Sequence, residues 1–313
     1  MYNFELLALY NNSWGNFDFN ATLGGNLYKV NNQTIVTTAK DMKIRDVVAL
    51  MSFNEVSVEP YSYRKQINSI YGAVNLGWKH MLYFDATLRG DQSSTLPISN
   101  NMYIYPSFSG SFVFSELLKL GDKLPYGKVR MSWAQVGSDT DPYQLGLVYT
   151  KSKFAYPGYT IGYISNGTIP NKDLKPTKTN SFEMGLELKF LKNRIGLDFT
   201  YYSQLSKNQI MGMASSSTSG YGYRLINAGE IENKGVEIAL NTRPIQTKDF
   251  SWDLNFNFSK NSNKVKKLVD DMDMFELEKA TWLDVQVAAK VGENFGSIVG
   301  PDFQRNENGD ILI

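Results

Sequence analysis

Apolar and polar residues alternate along most of the chain with a period of two, the repeat of a strand whose successive side chains face opposite sides. Between residues 16 and 27, Phe17, Phe19, Ala21, Leu23 and Leu27 fall on one face and Asp18, Asn20, Thr22, Gly24 and Asn26 on the other. Ile70, Val74, Leu76 and Trp78 alternate with Ser69, Tyr71, Ala73 and Asn75, and Leu82, Phe84, Ala86 and Leu88 with Tyr83, Asp85, Thr87 and Arg89. The pattern recurs in Val129, Met131 and Trp133, in Phe182 through Phe190, in Ile195 through Tyr201 and in Trp252 through Phe258. In each segment the charges fall on the polar face.

A soluble sandwich also alternates, so three further features decide the architecture. The runs are about 9–12 residues long against a globular mean of about 5–6, and tilted strands of that length match an apolar band roughly 25 Å tall. Aromatic residues stand near the strand ends (Trp78, Trp133, Phe190, Tyr201, Trp252), where a membrane-interface girdle would place them. The connections alternate short and long: residues 79–80, 191–193 and 242–250 are brief, whereas 137–179 and 203–233 are extended, the asymmetry of the two rims of an outer-membrane barrel. The expected fold is all-β, an antiparallel transmembrane β-barrel portion of about ten strands with an eleventh around residues 283–291.

Two stretches break the period. Ile44, Val47, Val48 and Met51 recur at helical spacing, as do Val265, Leu268, Val269 and Met272; both predict short surface helices in outer loops rather than core elements. Asn308-Gly309 reads as a tight hairpin turn, and the Ser/Thr/Gly run at 215–220 as a loop tip.

Composition narrows the chemistry. Uninterrupted apolar runs such as residues 6–10 and 47–51 reach only five residues, far short of the roughly 20 of a transmembrane helix. Among 313 residues there are 32 Lys+Arg and 31 Asp+Glu, a net charge of +1 that gives no case for nucleic acid. There is no cysteine and one histidine, His80, so disulfides, cysteine zinc sites and thiol catalysis are excluded within this chain, and a multi-histidine metal site would need another chain. No catalytic, cofactor-binding or metal residue is expected, and the chain is not read as an enzyme.

The candidate contacts lie in the long connections. Asp139, Asp141 and Tyr143 open the longest one; they either touch a polar ligand or a capping partner, or order the loop through Asx turns with Pro142 fixing the chain. Tyr156 and Tyr159, with Tyr149, Phe154, Tyr163, Tyr221 and Tyr223, either stack on sugar rings or pack the loops. Asp270, Asp271 and Asp273 offer oxygen ligands to calcium or form a solvated acidic face. Glu183 and Glu187 share one face of a strand about 14 Å apart, too far for paired-carboxylate glycoside hydrolysis.

Several segments resemble successive barrel pieces of SusC/RagA-type TonB-dependent outer-membrane transporters. They are residues 67–97 (INSIYGAVNLGWKHMLYFDATLRGDQSSTLP), 105–117 (YPSFSGSFVFSEL), 127–143 (GKVRMSWAQVGSDTDPY), 171–202, 226–265 and 292–312, and more weakly 17–26 (FDFNATLGGN). The resemblance implies a larger, 22-stranded barrel in the bacterial cell outer membrane, with an N-terminal plug and energy delivered by TonB through an N-terminal region. It further implies a SusD-like lipoprotein over the outer face, an oligosaccharide or peptide substrate, and outer-membrane lipids around the wall. Residues 1–313 then form one partial TonB-dependent receptor β-barrel domain, with plug, leader and remaining strands outside it. The competing readings are a passive outer-membrane barrel or porin, and a soluble β-rich carbohydrate-binding module.

Overall fold

The computed structural model describes residues 1–119, 121–151, 158–159, 161–164, 167–269, 272–280 and 284–311. Six strands run up and down from the start: β1 (Tyr2–Trp14), β2 (Phe17–Met42), β3 (Phe53–Trp78), β4 (Leu82–Ser93), β5 (Met102–Phe112) and β6 (Tyr126–Ser138), with a single-turn α1 (Phe114–Leu118) before β6. The long connection that follows carries β7 (Tyr149–Lys151), β8 (Gly162–Ile164) and β9 (Thr168–Ile169). The meander resumes with β10 (Thr177–Phe190), β11 (Ile195–Ala214), β12 (Tyr223–Gln246) and β13 (Ser251–Lys267). The wall order is β1-β2-β3-β4-β5-β6-β10-β11-β12-β13, and β9 adds in parallel at the far end of β12. The sheet is open, ending at β1 and β13.

Register carries one face through the whole wall. The cross-strand row Tyr10–Ala21–Val74–Ala86–Phe108–Trp133 runs on one side, while the neighbouring row Asn20–Asn75–Asp85–Ser109–Ser132–Glu183 runs on the other. A one-residue slip on any strand would exchange the two faces, so the alternation in the sequence fixes the pairing. On β2 the apolar side extends from Phe17 to Leu27, about 34 Å along the strand and about 26 Å at a tilt of roughly 40°. The first outward polar residues above it are Lys29, Asn68, Gln92, Gln135, Asn180, Ser203, Lys234 and Lys260, one per strand from β2 to β13, skipping β5. Trp14, Phe17, Trp78, Phe190 and Trp252 mark the lower edge of the belt, and Trp133 and Tyr201 the upper.

Large apolar side chains stay uncovered across this belt, Phe256 at 61% and Leu88 at 56% exposure among them. A single-layer sheet has nothing to bury them against, and exposed apolar area on this scale is stable only against lipid. The connections confirm the orientation. Gly15-Asn16 and residues 79–81, 191–194 and 247–250, with the longer connection 113–125 that holds α1, close one rim, whereas 43–52, 94–101, 215–222 and the longest of all, 139–176, rise from the other. The long-loop rim is the outer one.

Several expectations need correction. The strands β2 and β3 are each 26 residues long, and β11 and β12 are 20 and 24, so much of what reads as loop is strand standing above the bilayer. β1 escapes the alternation because Leu7 and Leu9 put apolar residues on its polar side. The region expected to supply an eleventh wall strand instead holds β15 (Gln286–Lys290), which lies between β14 (Met274–Lys279) and β16 (Phe295–Val299) in a separate sheet. Among the described residues neither helical stretch forms an α-helix: residues 43–49 turn into a three-residue 3-10 element, Leu50–Ser52, and in the second stretch the Met272 N–H bonds the Val269 carbonyl at 3.1 Å. Val265 and Leu268 are core residues, at 0% and 5% exposure, packed with Phe275 and Ala289. The hairpin turn at Asn308-Gly309 is present, closed by an Arg305–Ile311 bridge with the Asn306 carboxamide oxygen accepting from the Asn308 and Asp310 N–H groups.

Candidate functional site

Two surfaces can meet a solute: the polar inner wall and the outer mouth. The inner wall is laced by side chains that reach sideways between strands. Asn75 donates to Asp85, which also accepts from Ser109. Arg89 bonds Asp91 at 2.9 Å and Ser69 at 2.9 Å, and Tyr105 donates to the same Asp91. Arg130 grips Asp198 through two N–H groups at 3.1 and 2.9 Å and reaches Thr200 at 2.6 Å. Arg130, Asp198, Thr200, Glu237, Asn257 and Ser259 line a polar hollow of about 550 Å³ on this face. Glu187 pairs with Lys189 on its own strand at 3.8 Å rather than with a cation across the wall.

At the mouth, the connection 139–176 is tied down at three points. At its start, the Asp139 carboxylate, 11% exposed, accepts from Lys65 Nζ at 2.7 Å on one oxygen and from Ser93 Oγ (2.5 Å) and Thr95 Oγ1 (3.1 Å) on the other. The Gly167 carbonyl accepts from the Gly222 and Tyr223 N–H groups, both at 2.8 Å. At its return, the Asn227 carboxamide bonds both backbone groups of Lys175 at 2.7 Å and donates to the Asn208 carbonyl. Leu174 is fully buried beside Leu96 and Tyr103, with Tyr105, Leu145, Ile210 and Leu225 around them. The loop is thus folded onto its own small core.

Of the five candidate contacts, Asp139 and Tyr143 come together at the root of this loop, and Asp139 is consumed in anchoring it. The Tyr143 hydroxyl accepts the Arg64 N–H at 3.0 Å, and its backbone sits at φ 65°, a region costly for a bulky residue. Asp141 is exposed. Tyr159 stands 74% exposed. Tyr156 and Phe154 lie outside the described residues, as do Asp270 and Asp271. Pro142, Tyr143, Gln144, Val148, Thr168 and Pro170 enclose a hollow of about 400 Å³ at the mouth. No group of three potential metal-ligating side chains occurs among the described residues. The sequence did not single out Lys65, Ser93, Thr95 or Asn227; each sits far from the loop in the chain, and only strand register brings it there.

An open antiparallel sheet with one lipid-facing side and one polar side, long connections at one rim and a folded mouth is the geometry of a barrel wall. Residues 2–288 match the family described as TonB dependent receptor-like, beta-barrel. The chain belongs to that family. It is 28% identical to TonB-dependent receptor P3 of Formosa agariphila over 96% of this chain and 31% of the relative. It is 30% identical to TonB-dependent receptor SusC of Bacteroides thetaiotaomicron over 69% of this chain and 22% of that one. The chain therefore spans about a third or less of these relatives. Among solved structures, the RagAB peptide transporter superposes with a TM-score of 0.82 at 21% identity, covering 93% of this chain and 32% of the other. The siderophore receptor PirA of Pseudomonas aeruginosa gives 0.51 at 16%, over 91% and 47%. The wall belongs to an outer-membrane barrel of SusC/RagA type.

Proposed function

We propose that this wall is part of a TonB-dependent importer that takes up oligosaccharides or peptides across the outer membrane together with a SusD-like lipoprotein, and that residues 1–313 form one partial barrel domain of it. The observation that carries the reading is the two-faced sheet: an apolar belt outside, and inside an unbroken row of polar and charged side chains from Asn20 to Glu183. A wall of this kind lines a polar passage and performs no covalent chemistry. The RagAB likeness, to a structure described as a peptide transporter, supports a peptide as one of the solutes. The exposed tyrosines Tyr143, Tyr149, Tyr159 and Tyr163 at the mouth, with Asp141, are where a polar solute or the lipoprotein would make first contact.

The test is uptake by cells that carry the full-length protein, fed labelled oligosaccharide or oligopeptide pools, with and without collapse of the inner-membrane proton gradient. Uptake that depends on the gene and stops when the gradient collapses supports the proposal. Gene-dependent uptake that persists without the gradient would instead identify a passive pore. A protein found folded and monomeric in detergent-free buffer would overturn the membrane assignment altogether.

A further inference from the structure

Just above the apolar belt, the outward face differs from strand to strand. On β3, β4 and β6 the first polar residues are neutral: Asn68, Gln92 and Gln135. On β12 and β13 they are Lys234 and Lys260, and the outward residues above Lys260 include Lys264 and Lys266. All four lysines are exposed. One carboxylate stands among them: Glu232, opposite Lys264 in register, accepts from Lys234 Nζ at 2.8 Å and lies 3.6 Å from Lys266 Nζ. Four cations around one anion leave an excess of three positive charges on two adjacent strands.

The place of this cluster is as telling as its charge. Lys260 follows the outward Phe258 by two residues and Lys234 precedes the outward Val236 by two, so each stands about 7 Å along the strand from the end of the lipid-facing surface. That is the level at which the polar layer of the outer leaflet begins. Lysine stems can lie along the apolar edge while the ammonium groups reach into that layer. The surface is continuous with the belt that lipid already covers.

We propose that Lys234, Lys260, Lys264 and Lys266 form a binding surface for the phosphate-bearing headgroup of an outer-leaflet lipid, held at one sector of the barrel wall. This rests on the assignment of the chain to an outer-membrane wall. Glu232 sets the geometry: by bonding Lys234 and approaching Lys266 it spaces two ammonium groups about a common point, and Lys260 and Lys264, with no ion pair among the described residues, are left to meet the phosphate. The hydrogen bond from Lys234 holds the Glu232 carboxyl below its ordinary range, so the spacer stays charged.

The test is native mass spectrometry of the full-length protein extracted from outer membranes in mild detergent, counting phosphorylated lipid retained per barrel. The variant in which Lys234, Lys260, Lys264 and Lys266 are all changed to Gln is expected to retain about fivefold less or lower, from the summed loss of several cation–headgroup attractions. Changing Lys119 and Lys192, away from the patch, to Gln should leave retention as it was. Heat-shift on denaturing gels confirms that each variant is folded. Unchanged retention in the folded quadruple variant would overturn the proposal, as would displacement of the lipid by millimolar inorganic phosphate, which would mark a free-anion site. Absence of the wild-type protein from the outer membrane would overturn the wall assignment itself, a result distinct from either.

Discussion

Arg130 on β6 reaches Asp198 on β11 by lying across Gly185 on the strand between them. A Cβ built at Gly185 would fall 2.5 Å from the Arg130 Nε, so only glycine leaves room for the guanidinium to pass. Tyr71 crosses Gly24 to Glu5, and Tyr202 crosses Gly235 to Asn261, in the same manner. Each contact ties strands that are not hydrogen-bonded neighbours, stiffening a single-layer wall that has no second layer to pack on. Gly185→Ala is expected to displace Arg130 and break the pair. Both partners are over a third exposed, so the loss is about 0.5–1 kcal/mol, plus any strain of moving the guanidinium. The folded-to-unfolded band shift on heating should drop by about 1 °C or less, and Arg130→Ala on top of Gly185→Ala should add little, because the contact is already gone. Full additivity of the two would show that the contact does not exist.

Asp139 anchors the mouth. Its removal in Asp139→Ala takes the shared acceptor from Lys65, Ser93 and Thr95; the two buried hydroxyls keep only their bond to each other, so one of them and the Lys65 amine go unsatisfied, a cost of about 1–3 kcal/mol. That cost falls on the loop root and not on the membrane belt. The connection 139–176 should become cleavable by protease added outside intact cells, while the heat-shift temperature of the barrel changes little. Asp141→Ala, at an exposed position, should alter neither readout. If it lowers solute uptake while the loop stays resistant, Asp141 is a contact for cargo or partner; if Asp139→Ala leaves the loop equally resistant, the anchoring role is wrong.

The wall was legible because a barrel strand answers to one constraint, lipid on one side and water on the other, and that constraint writes a period of two directly into Phe17–Leu27, Leu82–Leu88 and Trp252–Phe258. The girdle aromatics and the short turns at 79–81 and 191–194 were legible for the same reason. Above the belt both faces meet water, alternation loses its meaning, and the extensions of β2, β3, β11 and β12 read as loop. The mouth was least legible: Asp139 drew notice for opening the longest connection, but its partners Lys65, Ser93 and Thr95 come from other hairpins, and only pairing in register brings them within reach. Val265 and Leu268 misled because their burial depends on β14–β16, a sheet whose short strands leave little periodic trace.

The two faces predict opposite tolerance to charge at neighbouring positions. Phe256, in the belt, points to lipid, and arginine there should cost about 2–4 kcal/mol near the bilayer midplane. Asn257, one residue on, faces the interior beside Ala239, where arginine meets water and other polar groups. Phe256→Arg is expected to cut the yield of folded protein in the outer membrane sharply, and Asn257→Arg to leave it near wild type. Equal tolerance at both sites would contradict the assignment of faces.

The small sheet β14–β16 is joined to the wall through Val265 and Leu268. The Val265 N–H donates to the Glu293 carbonyl and its own carbonyl accepts from Gly292, both near 2.9 Å, while Leu268 packs against Phe275 and Ala289 with Met211, Met213, Met272 and Leu277 around the cluster. Leu268→Ala removes the side chain that bridges the two sheets and should cost about 2–4 kcal/mol if the cavity does not collapse; the flexible methionines around it favour partial refilling and the lower end. The belt strands do not depend on this cluster, since their neighbours are hydrogen-bonded along their full length. Amide exchange in β14–β16 should therefore accelerate by one to two orders of magnitude while exchange in the belt portions of β11 and β12 holds. Acceleration spread evenly across both would mean that the small sheet and the wall unfold as one unit, and that the cluster is part of the barrel's own stability.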